Sequence, residues 1–470
     1  MISINALPDD ALLPIFDFYL RGLRSIPVTH TRGWQSLIHV CRQWRRVVLG
    51  SPRRLDLRLL CTRSTRPRDI LDIWPALPLI IKGSGDYSTR CVDNIVAALK
   101  CSDRVCKINL KISKVSSWER FLAAMQQSFP ELTHLDLQWY HRTDEAAVVP
   151  DSFLGAFAPR LEFLRLRRLS FPGLPNLLLS TTHLATLYLY DIPHSGYFSP
   201  DAMVAALSRL TTLKYLLLKF KSPESCPDLE TRRLPPSTRS ALPVLKSFEF
   251  KGVSEYLEDL VTDIDAPQLN KLRICFFNDS VFDTPQLIQF ISRTPMLSAL
   301  ENVHIALEDG TAHVSFRPTI YVYKELEVSI FCEGLDWQLS SLEQVCTSYL
   351  PFLSTLKDLY IHEHARSQQD WKDNIGNGPW LDLLRPFTAA MKNLYLSEKI
   401  APSIGPALQE LVEGRATEVL PALQNIFVEG FESSGPVQES IGHFVAAQQV
   451  VGHRIAISRW ADPKKRGTYW

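Results

Sequence analysis

A six-residue pattern of apolar positions, apolar-x-x-apolar-x-apolar, recurs along the chain from Val105 to Val428. Because side chains alternate across a strand, the last two apolar positions of each copy face one side, and the residues between them face the other. Each copy therefore predicts a short strand that cannot bury a core alone and that stacks on its neighbours. The copies begin at Val105, Leu132, Leu161, Leu184, Leu213, Leu245, Leu269, Leu300, Tyr323, Leu356, Met391 and Leu423.

Several segments between the copies predict helices. Residues 117–127 have apolar side chains at helical spacing, and Ser199-Pro200-Asp201 and Thr284-Pro285 are typical helix beginnings. We therefore predict an α/β fold in which a short N-terminal helical segment precedes an irregular leucine-rich-repeat-like solenoid. In such a solenoid, parallel strands line the concave face and helices the convex face. The alternative is a non-repetitive α/β fold.

The predicted solenoid covers residues 61–435. Polar stretches rich in proline, serine or charge predict two loops inside it, near residues 223–243 and 364–379. Residues 436–451 have apolar side chains near helical spacing. We expect residues 436–470 to form a helix that caps the last strand and then a polar tail.

Residues 5–49 predict two amphipathic helices at the N-terminus. Leu7-Pro8 precedes the first helix, and Asp9 and Asp10 lie in its first turn, where they favour the helix dipole. Apolar residues lie on one stripe of the first helix and recur in the second helix among arginines. These residues are Leu12, Ile15, Phe16 and Tyr19 in the first helix and Leu37, Val40, Cys41 and Trp44 in the second.

This segment resembles an F-box, whose pattern joins Leu-Pro and an acid, an apolar pair, Ile-Phe, Tyr-Leu and a final Val-Cys-x-x-Trp-Arg. The link between the two halves, from Arg21 to Gly33, is longer than is usual in that family. The resemblance implies that residues 1–60 dock on a Skp-family adaptor, and through it on a cullin-RING ubiquitin ligase, while the remaining chain binds a protein substrate for ubiquitination. The adaptor-binding residues that it implies are Leu7, Pro8, Leu12, Ile15, Phe16, Tyr19, Leu37, Val40, Cys41 and Trp44.

The rest of the chain resembles a large group of F-box proteins from mushroom-forming (basidiomycete) fungi, nearly end to end. The stretches that carry this similarity are Trp74 to Leu79, Leu359 to His364, Gly442 to Ala447 and Ser458 to Trp460. Two alternatives stay open. In one, Leu7, Ile15 and Phe16 pack on the N-terminal cap of the solenoid. In the other, the chain is a leucine-rich-repeat interaction scaffold that is not attached to a ligase.

Strand alternation also predicts which residues face a substrate. The third, fifth and seventh positions of each copy lie on the predicted concave face, and arginine and tyrosine often anchor interfaces there. We expect the central strands to receive an acidic or phosphorylated segment of the target, the alternative being a solvated sheet face. The predicted substrate-binding residues are Phe163, Arg165, Arg167, Tyr188, Tyr190, Tyr215, Lys219, Arg273 and Tyr360.

Other classes of function receive little support from the sequence. The net charge is +1, and we interpret the arginines between Arg21 and Arg68 as cover for apolar helix surface, so no nucleic-acid partner is expected. The chain has no phosphate-binding glycine loop, G-x-S-x-G or H-E-x-x-H motif, so we expect neither enzymatic activity nor a cofactor. His362 and His364 have no nearby Cys/His pair, so no metal site is expected.

Cysteine usage and hydropathy bear on the compartment. Nine cysteines are scattered without a C-x-x-C pair, which is typical of reduced thiols in an intracellular protein. No apolar run approaches the roughly 18 residues that a membrane helix needs, and the acidic N-terminus does not fit a secretory signal. We expect a cytoplasmic or nuclear protein without a membrane partner.

Overall fold

The computed structural model describes most of the chain and divides it into two compact units. Unit 1 comprises Met1–Phe198 with Ala205–Leu213, and unit 2 comprises Ser199–Val204 with Lys214–Trp470. The described residues are 7–22, 27–66, 71, 74–85, 87–141, 146–224, 239–277, 284–297, 301–318, 324–332, 334–348, 356–363, 376–387, 391–414, 420–430, 435–450 and 452–460.

Unit 1 contains an open sheet of six parallel strands in the order β1-β2-β3-β4-β6-β8. A separate two-stranded ladder pairs β5 with β7. The strands are β1 (Leu59–Thr62), β2 (Leu79–Gly83), β3 (Val105–Ile112), β4 (His134–Trp139), β5 (Ala147–Val148), β6 (Phe163–Arg167), β7 (Leu169–Ser170) and β8 (Thr186–Ile192). The helices are α1 (Asp9–Gly22), α2 (Pro27–Ile38), α3 (Arg42–Gly50), α4 (Thr89–Leu99), α5 (Val115–Ala124) and α6 (Leu174–Leu178).

Helix α7 (Pro200–Leu207) lies where the chain passes between the units, and its residues are shared by both. The strands of unit 2 are β9 (Tyr215–Phe220), β10 (Ser240–Ala241), β11 (Ser247–Gly252), β12 (Ile264–Asp265), β13 (Lys271–Phe276), β14 (Asn302–Glu308), β15 (Thr311–Arg317), β16 (Glu325–Phe331), β17 (Asp358–Glu363), β18 (Asn393–Leu396), β19 (Asn425–Glu429) and β20 (Ala456–Trp460). Its further helices are α8 (Ser254–Thr262), α9 (Pro285–Ser292), α10 (Leu335–Ser348), α11 (Asn377–Leu384), α12 (Ala401–Gly414) and α13 (Pro436–Val450).

The sheet of unit 2 follows the order β9-β11-β13-β16-β15-β14-β17-β18-β19-β20. Its strands are parallel to their neighbours except β15, which runs antiparallel to both β14 and β16. Both units are therefore mixed α/β with predominantly parallel sheets, as the sequence predicted.

Each of the twelve copies of the apolar pattern coincides with a strand, and their alternation is visible in the burial. In β6, Leu164 and Leu166 are buried, while Phe163, Arg165 and Arg167 remain partly exposed. One side of each sheet is thus closed by apolar packing, and the other side carries the alternate residues. We call these partly exposed sides the unit 1 open face and the unit 2 open face.

An amide ladder adds to the pairing of three strands in unit 2. Asn425 donates a hydrogen bond from Nδ2 to Oδ1 of Asn393 at 2.8 Å, and Asn393 donates in turn to Oδ1 of Asp358 at 2.6 Å. The three residues occupy the same register position on β17, β18 and β19. Ladders of this kind form when equivalent side chains stack from strand to strand.

Eight strands contain no copy of the apolar pattern: the two-residue strands β5, β7, β10 and β12, and the longer strands β1, β2, β15 and β20. The apolar pattern missed β1 and β2, whose apolar residues run consecutively, as in Leu79-Ile80-Ile81. It also missed β15, which follows β14 through a two-residue hairpin turn at Asp309-Gly310, with Gly310 at a φ of 72°. An Asp-Gly pair between two alternating segments is a strong hairpin signal, so the sequence contained the indication.

The structure also differs from the prediction for the C-terminal region. A helix begins at Pro436 as expected, but it does not end the fold, because β20 follows it and pairs in parallel with β19. This strand lies at the edge of the sheet and is poorly buried, so its sequence lacks the apolar pattern. The tail beyond residue 460 lies outside the described residues.

The predicted domain boundary at residue 60 and the two predicted loops can be compared with the structure only in part. Strand β1 straddles the predicted boundary at residue 60, and the N-terminal helices belong to the same compact unit as the first six sheet strands. Most of the predicted loops, residues 225–238 and 364–375, lie outside the described residues. Where the first loop ends, β10 pairs with β12, and α11 begins inside the second loop. Within the described residues, no helix is long and apolar enough to span a membrane.

Candidate functional site

The start of α1 is fixed by hydrogen bonds to the Leu7-Pro8 pair. The carbonyl oxygen of Pro8 accepts from the backbone nitrogens of Ala11 and Leu12 at 3.0 and 3.1 Å, which closes the first turn. From α3, Gln43 Nε2 donates to the Leu7 carbonyl oxygen at 3.0 Å. The residues of the Leu-Pro motif therefore hold α1 against α3, with Pro8 exposed and Leu7 half-buried.

Three of the predicted adaptor-binding residues form the core of the helical segment instead of its surface. Leu12, Phe16 and Leu37 are buried, and the Phe16 ring lies 4.7 Å from the ring of Trp44. These three side chains pack within the helical segment, and their predicted contact with an adaptor stays a prediction. A stripe of apolar residues on a short helix must first supply that helix's own packing.

Three other apolar residues of α1 are exposed. Ile15, Phe18 and Tyr19 are 49%, 82% and 42% exposed, and their i, i+3, i+4 spacing places them side by side. We call these three residues the α1 apolar surface. Val40, in the turn before α3, is 54% exposed, and Cys41 and Trp44 are half-buried.

Phe18 belongs to this surface although the sequence motif did not single it out. It lies beside the predicted docking stripe and is the most exposed of the three side chains. Its signal in the sequence is an aromatic residue two positions after a core phenylalanine, which must face away from the core in a helix.

On the unit 1 open face, Arg165 is held between two aromatic rings. Its guanidinium lies 5.3 Å from the Phe163 ring and 5.4 Å from the Tyr188 ring. It contacts the Asp136 carboxylate at 3.4 Å, which is a long distance for an ion pair, and its Nε has no hydrogen-bond partner among the described residues. Cation–π packing therefore positions this side chain more than its carboxylate does.

The neighbouring Arg167 is more fully paired. Its Nε lies 3.2 Å from the Asp191 carboxylate, and its guanidinium lies over the Tyr140 ring at 5.4 Å. Tyr188 and Tyr190 are in edge contact at 6.1 Å. The structure thus brings together all five unit 1 residues that the sequence assigned to substrate binding.

The predicted cations of the unit 2 open face are neutralised by carboxylates. Lys219 contacts Glu249 at 3.1 Å, and Arg273 contacts Glu325 at 2.8 Å and Glu327 at 3.3 Å. Burial alone would raise the pKa of Glu325, but Arg273 and Arg317 outweigh it and hold that pKa below its usual range. An acidic ligand would meet little free positive charge at these two residues.

Tyr360 belongs to a ladder of stacked rings that the sequence did not reveal. The rings of His304, Tyr360, Tyr395 and Phe427 follow one register position across β14, β17, β18 and β19. Successive centroids are 4.3, 4.1 and 4.5 Å apart, with planes within 9° of parallel. Burial and the adjacent Tyr395 raise the pKa of Tyr360. Tyr215, by contrast, is an exposed residue on β9.

The described residues contain no cluster of three or more His, Cys, Asp or Glu side chains that could hold a metal ion. His362 lies near His304, with 3.4 Å between their ring nitrogens, and His364 lies outside the described residues. The eight described cysteines are free, and burial raises the pKa of several, including Cys61 to about 11. A thiol with a raised pKa is a poor nucleophile.

Comparison with known proteins adds no family to this picture. No family model matches the sequence, and no curated protein is significantly similar to it.

Proposed function

We propose that the chain is the substrate-recognition subunit of a Skp-cullin-F-box ubiquitin ligase. In this proposal, α1 to α3 form the F-box and dock on a Skp-family adaptor. The remaining chain is a leucine-rich-repeat-like solenoid that holds a protein substrate. The adaptor connects the complex to a cullin-RING ligase, and the chain itself performs no chemistry.

The α1 apolar surface is the observation that carries the proposal. A short helix that already buries Leu12 and Phe16 in its own core gains nothing in stability from three further exposed apolar residues. Exposed aromatic and aliphatic side chains that lie together favour an interface, where their burial is the main source of affinity. The resemblance of residues 7–45 to the F-box pattern gives this interface a specific partner.

The proposed solenoid rests on strand stacking. Twelve copies of one apolar pattern form strands, and in each unit most neighbours are parallel, with α helices in the intervening segments. The antiparallel β15 interrupts the one-strand-per-repeat order, so the proposed array is irregular at that point.

Co-purification tests the proposal. The full chain is co-expressed with a Skp-family adaptor and compared with an Ile15→Ser/Phe18→Ser variant, which removes exposed apolar area without opening the helical core. Phe157→Ser is the matched control, because Phe157 is 54% exposed elsewhere in unit 1. The proposal expects a complex with the wild type and the control that the double variant loses.

The opposite outcome would favour a different function. A folded wild-type chain that elutes alone in the presence of the adaptor would contradict the ligase assignment. The same α1 apolar surface would then belong to an interaction scaffold without a ligase.

A further inference from the structure

We propose that the unit 1 open face binds an acidic, extended segment of the target polypeptide at a cluster of three lysines, Lys82, Lys107 and Lys111. This inference rests on the proposed receptor function in one respect, because that function makes the bound segment part of a substrate. The binding itself needs no adaptor, so it is measured separately.

The three lysines surround one residue of β3. Lys82 of β2 pairs in register with Asn109, and Lys107 and Lys111 lie two positions before and after Asn109 on the same face. Strand geometry places the Cα atom of Lys82 about 8 Å from those of the other two lysines. None of the three forms an ion pair with a carboxylate of the described chain. The lysine cluster is therefore a local excess of positive charge.

The unit 1 open face as a whole also carries an excess of positive charge. Its strands carry Lys82, Lys107, Lys111, Arg165 and Arg167 against two carboxylates among the described residues, Asp136 and Asp191, which contact Arg165 and Arg167. Lys107 is half-buried, and its pKa is lowered because that burial and the nearby Arg58 outweigh the attraction of Asp56 and Glu162. An anionic ligand would relieve this repulsion, so the face is electrostatically complementary to an acidic partner.

Asp136 favours a peptide over a nucleic acid. Its side chain is 10% exposed and is fixed by hydrogen bonds from Asn109 at 3.1 Å and Gln138 at 2.8 Å. A fixed carboxylate beside the lysines repels a phosphodiester backbone, which carries a charge on every unit. An extended peptide can place neutral residues there, and its alternate side chains, about 7 Å apart, match the spacing of the lysines.

The path from the cluster leads to a second anchor. Asn109, Asp136, Arg165 and Tyr188 occupy successive register positions on β3, β4, β6 and β8. Arg165 lies between the Phe163 and Tyr188 rings, and about a third of its side chain is exposed. A segment that crosses these strands would meet the lysines first and then a platform that accepts an aromatic or acidic residue.

Fluorescence anisotropy with a labelled decapeptide of alternating glutamate and serine, (Glu-Ser)5, tests the inference on the full chain at low salt. The test variant is Lys82→Gln/Lys107→Gln/Lys111→Gln, and Lys100→Gln/Lys246→Gln/Lys392→Gln is its control, because it removes the same charge at exposed lysines elsewhere. Lys111→Glu alone, at an exposed position, serves as a second variant that leaves the half-buried Lys107 in place.

We expect the wild type and the control to bind the peptide with equal affinity, and the test variant to bind about tenfold more weakly. Lys111→Glu should weaken binding in the same direction. Absence of wild-type binding, or an equal loss in the test variant and the control, would overturn the inference. Tighter binding of a single-stranded DNA decamer that depends on the same lysines would assign the face to nucleic acid instead. None of these outcomes depends on the adaptor.

Discussion

The rings of Phe16 and Trp44 lie 4.7 Å apart and join α1 to α3. Phe16 is fully buried by this contact, whereas Phe18, two residues along the same helix, is 82% exposed. The two phenylalanines therefore have different roles: one stabilises the helical segment, and the other is available to a partner.

Replacing each phenylalanine with alanine separates these roles. Phe16→Ala should lower the free energy of unfolding of unit 1 by about 3–5 kcal/mol, because it leaves a cavity against Trp44. Phe18→Ala should change it by less than about 0.5 kcal/mol, since the side chain is already in water. Urea denaturation followed by circular dichroism measures both. Equal losses in the two variants would show that Phe18 is part of the core.

The amide ladder of unit 2 predicts a second stability effect. Asn393 both donates to Asp358 and accepts from Asn425, so Asn393→Ala removes two side-chain hydrogen bonds and leaves two partners unpaired. We expect a loss of about 1–3 kcal/mol in the free energy of unfolding. Asn176→Ala, at an exposed position of α6, is the control and should be near neutral. A neutral Asn393→Ala would mean that the ladder contributes nothing to strand stacking.

His134 predicts a pH dependence. Burial, together with the positive charges of Lys107 and Arg58, lowers its pKa from 6.5 to about 4. Between these two pH values His134 binds a proton in the unfolded chain but not in the folded chain. The free energy of unfolding therefore falls as the pH drops from about 6.5 to about 4. Below about 4 both states are protonated, and the loss from this group is complete.

NMR titration of labelled histidines, assigned with a His134→Gln variant, measures this pKa directly. The Lys107→Gln variant should raise the pKa of His134 towards its ordinary value, because one of the repelling charges is removed. Lys100→Gln, in which the exposed lysine that follows α4 is replaced, should leave it unchanged. A His134 pKa near 6.5 in the wild type would contradict the described packing of β3 against β4.

The strands were predictable from the sequence because alternation is a local property. The spacing of Leu164 and Leu166 alone predicts their strand, and the same holds for all twelve copies. Sheet order is not local. Asp309-Gly310 indicates a hairpin, but nothing in the spacing shows that β16 rather than β14 pairs with β13.

The sequence predicts where the candidate surfaces lie, but it does not predict which of their side chains are buried or which partners they have. A helical stripe contains Leu12, Ile15, Phe16 and Tyr19, yet which of them are buried depends on how α2 and α3 pack, which no local pattern encodes. The cations of the sheet faces were equally visible in the sequence. Their partners were not, because Arg273 and Glu325 are separated by 52 residues and meet through strand pairing.

Calorimetric titration of the purified full chain with a purified Skp-family adaptor tests the central claim most directly. We predict a 1:1 complex with a dissociation constant of about 1 μM or tighter and a negative heat-capacity change, which marks burial of apolar surface. We also predict that Ile15→Ser/Phe18→Ser weakens binding by about tenfold or more. A folded chain that shows no binding, or binding that this variant leaves unchanged, would contradict the account.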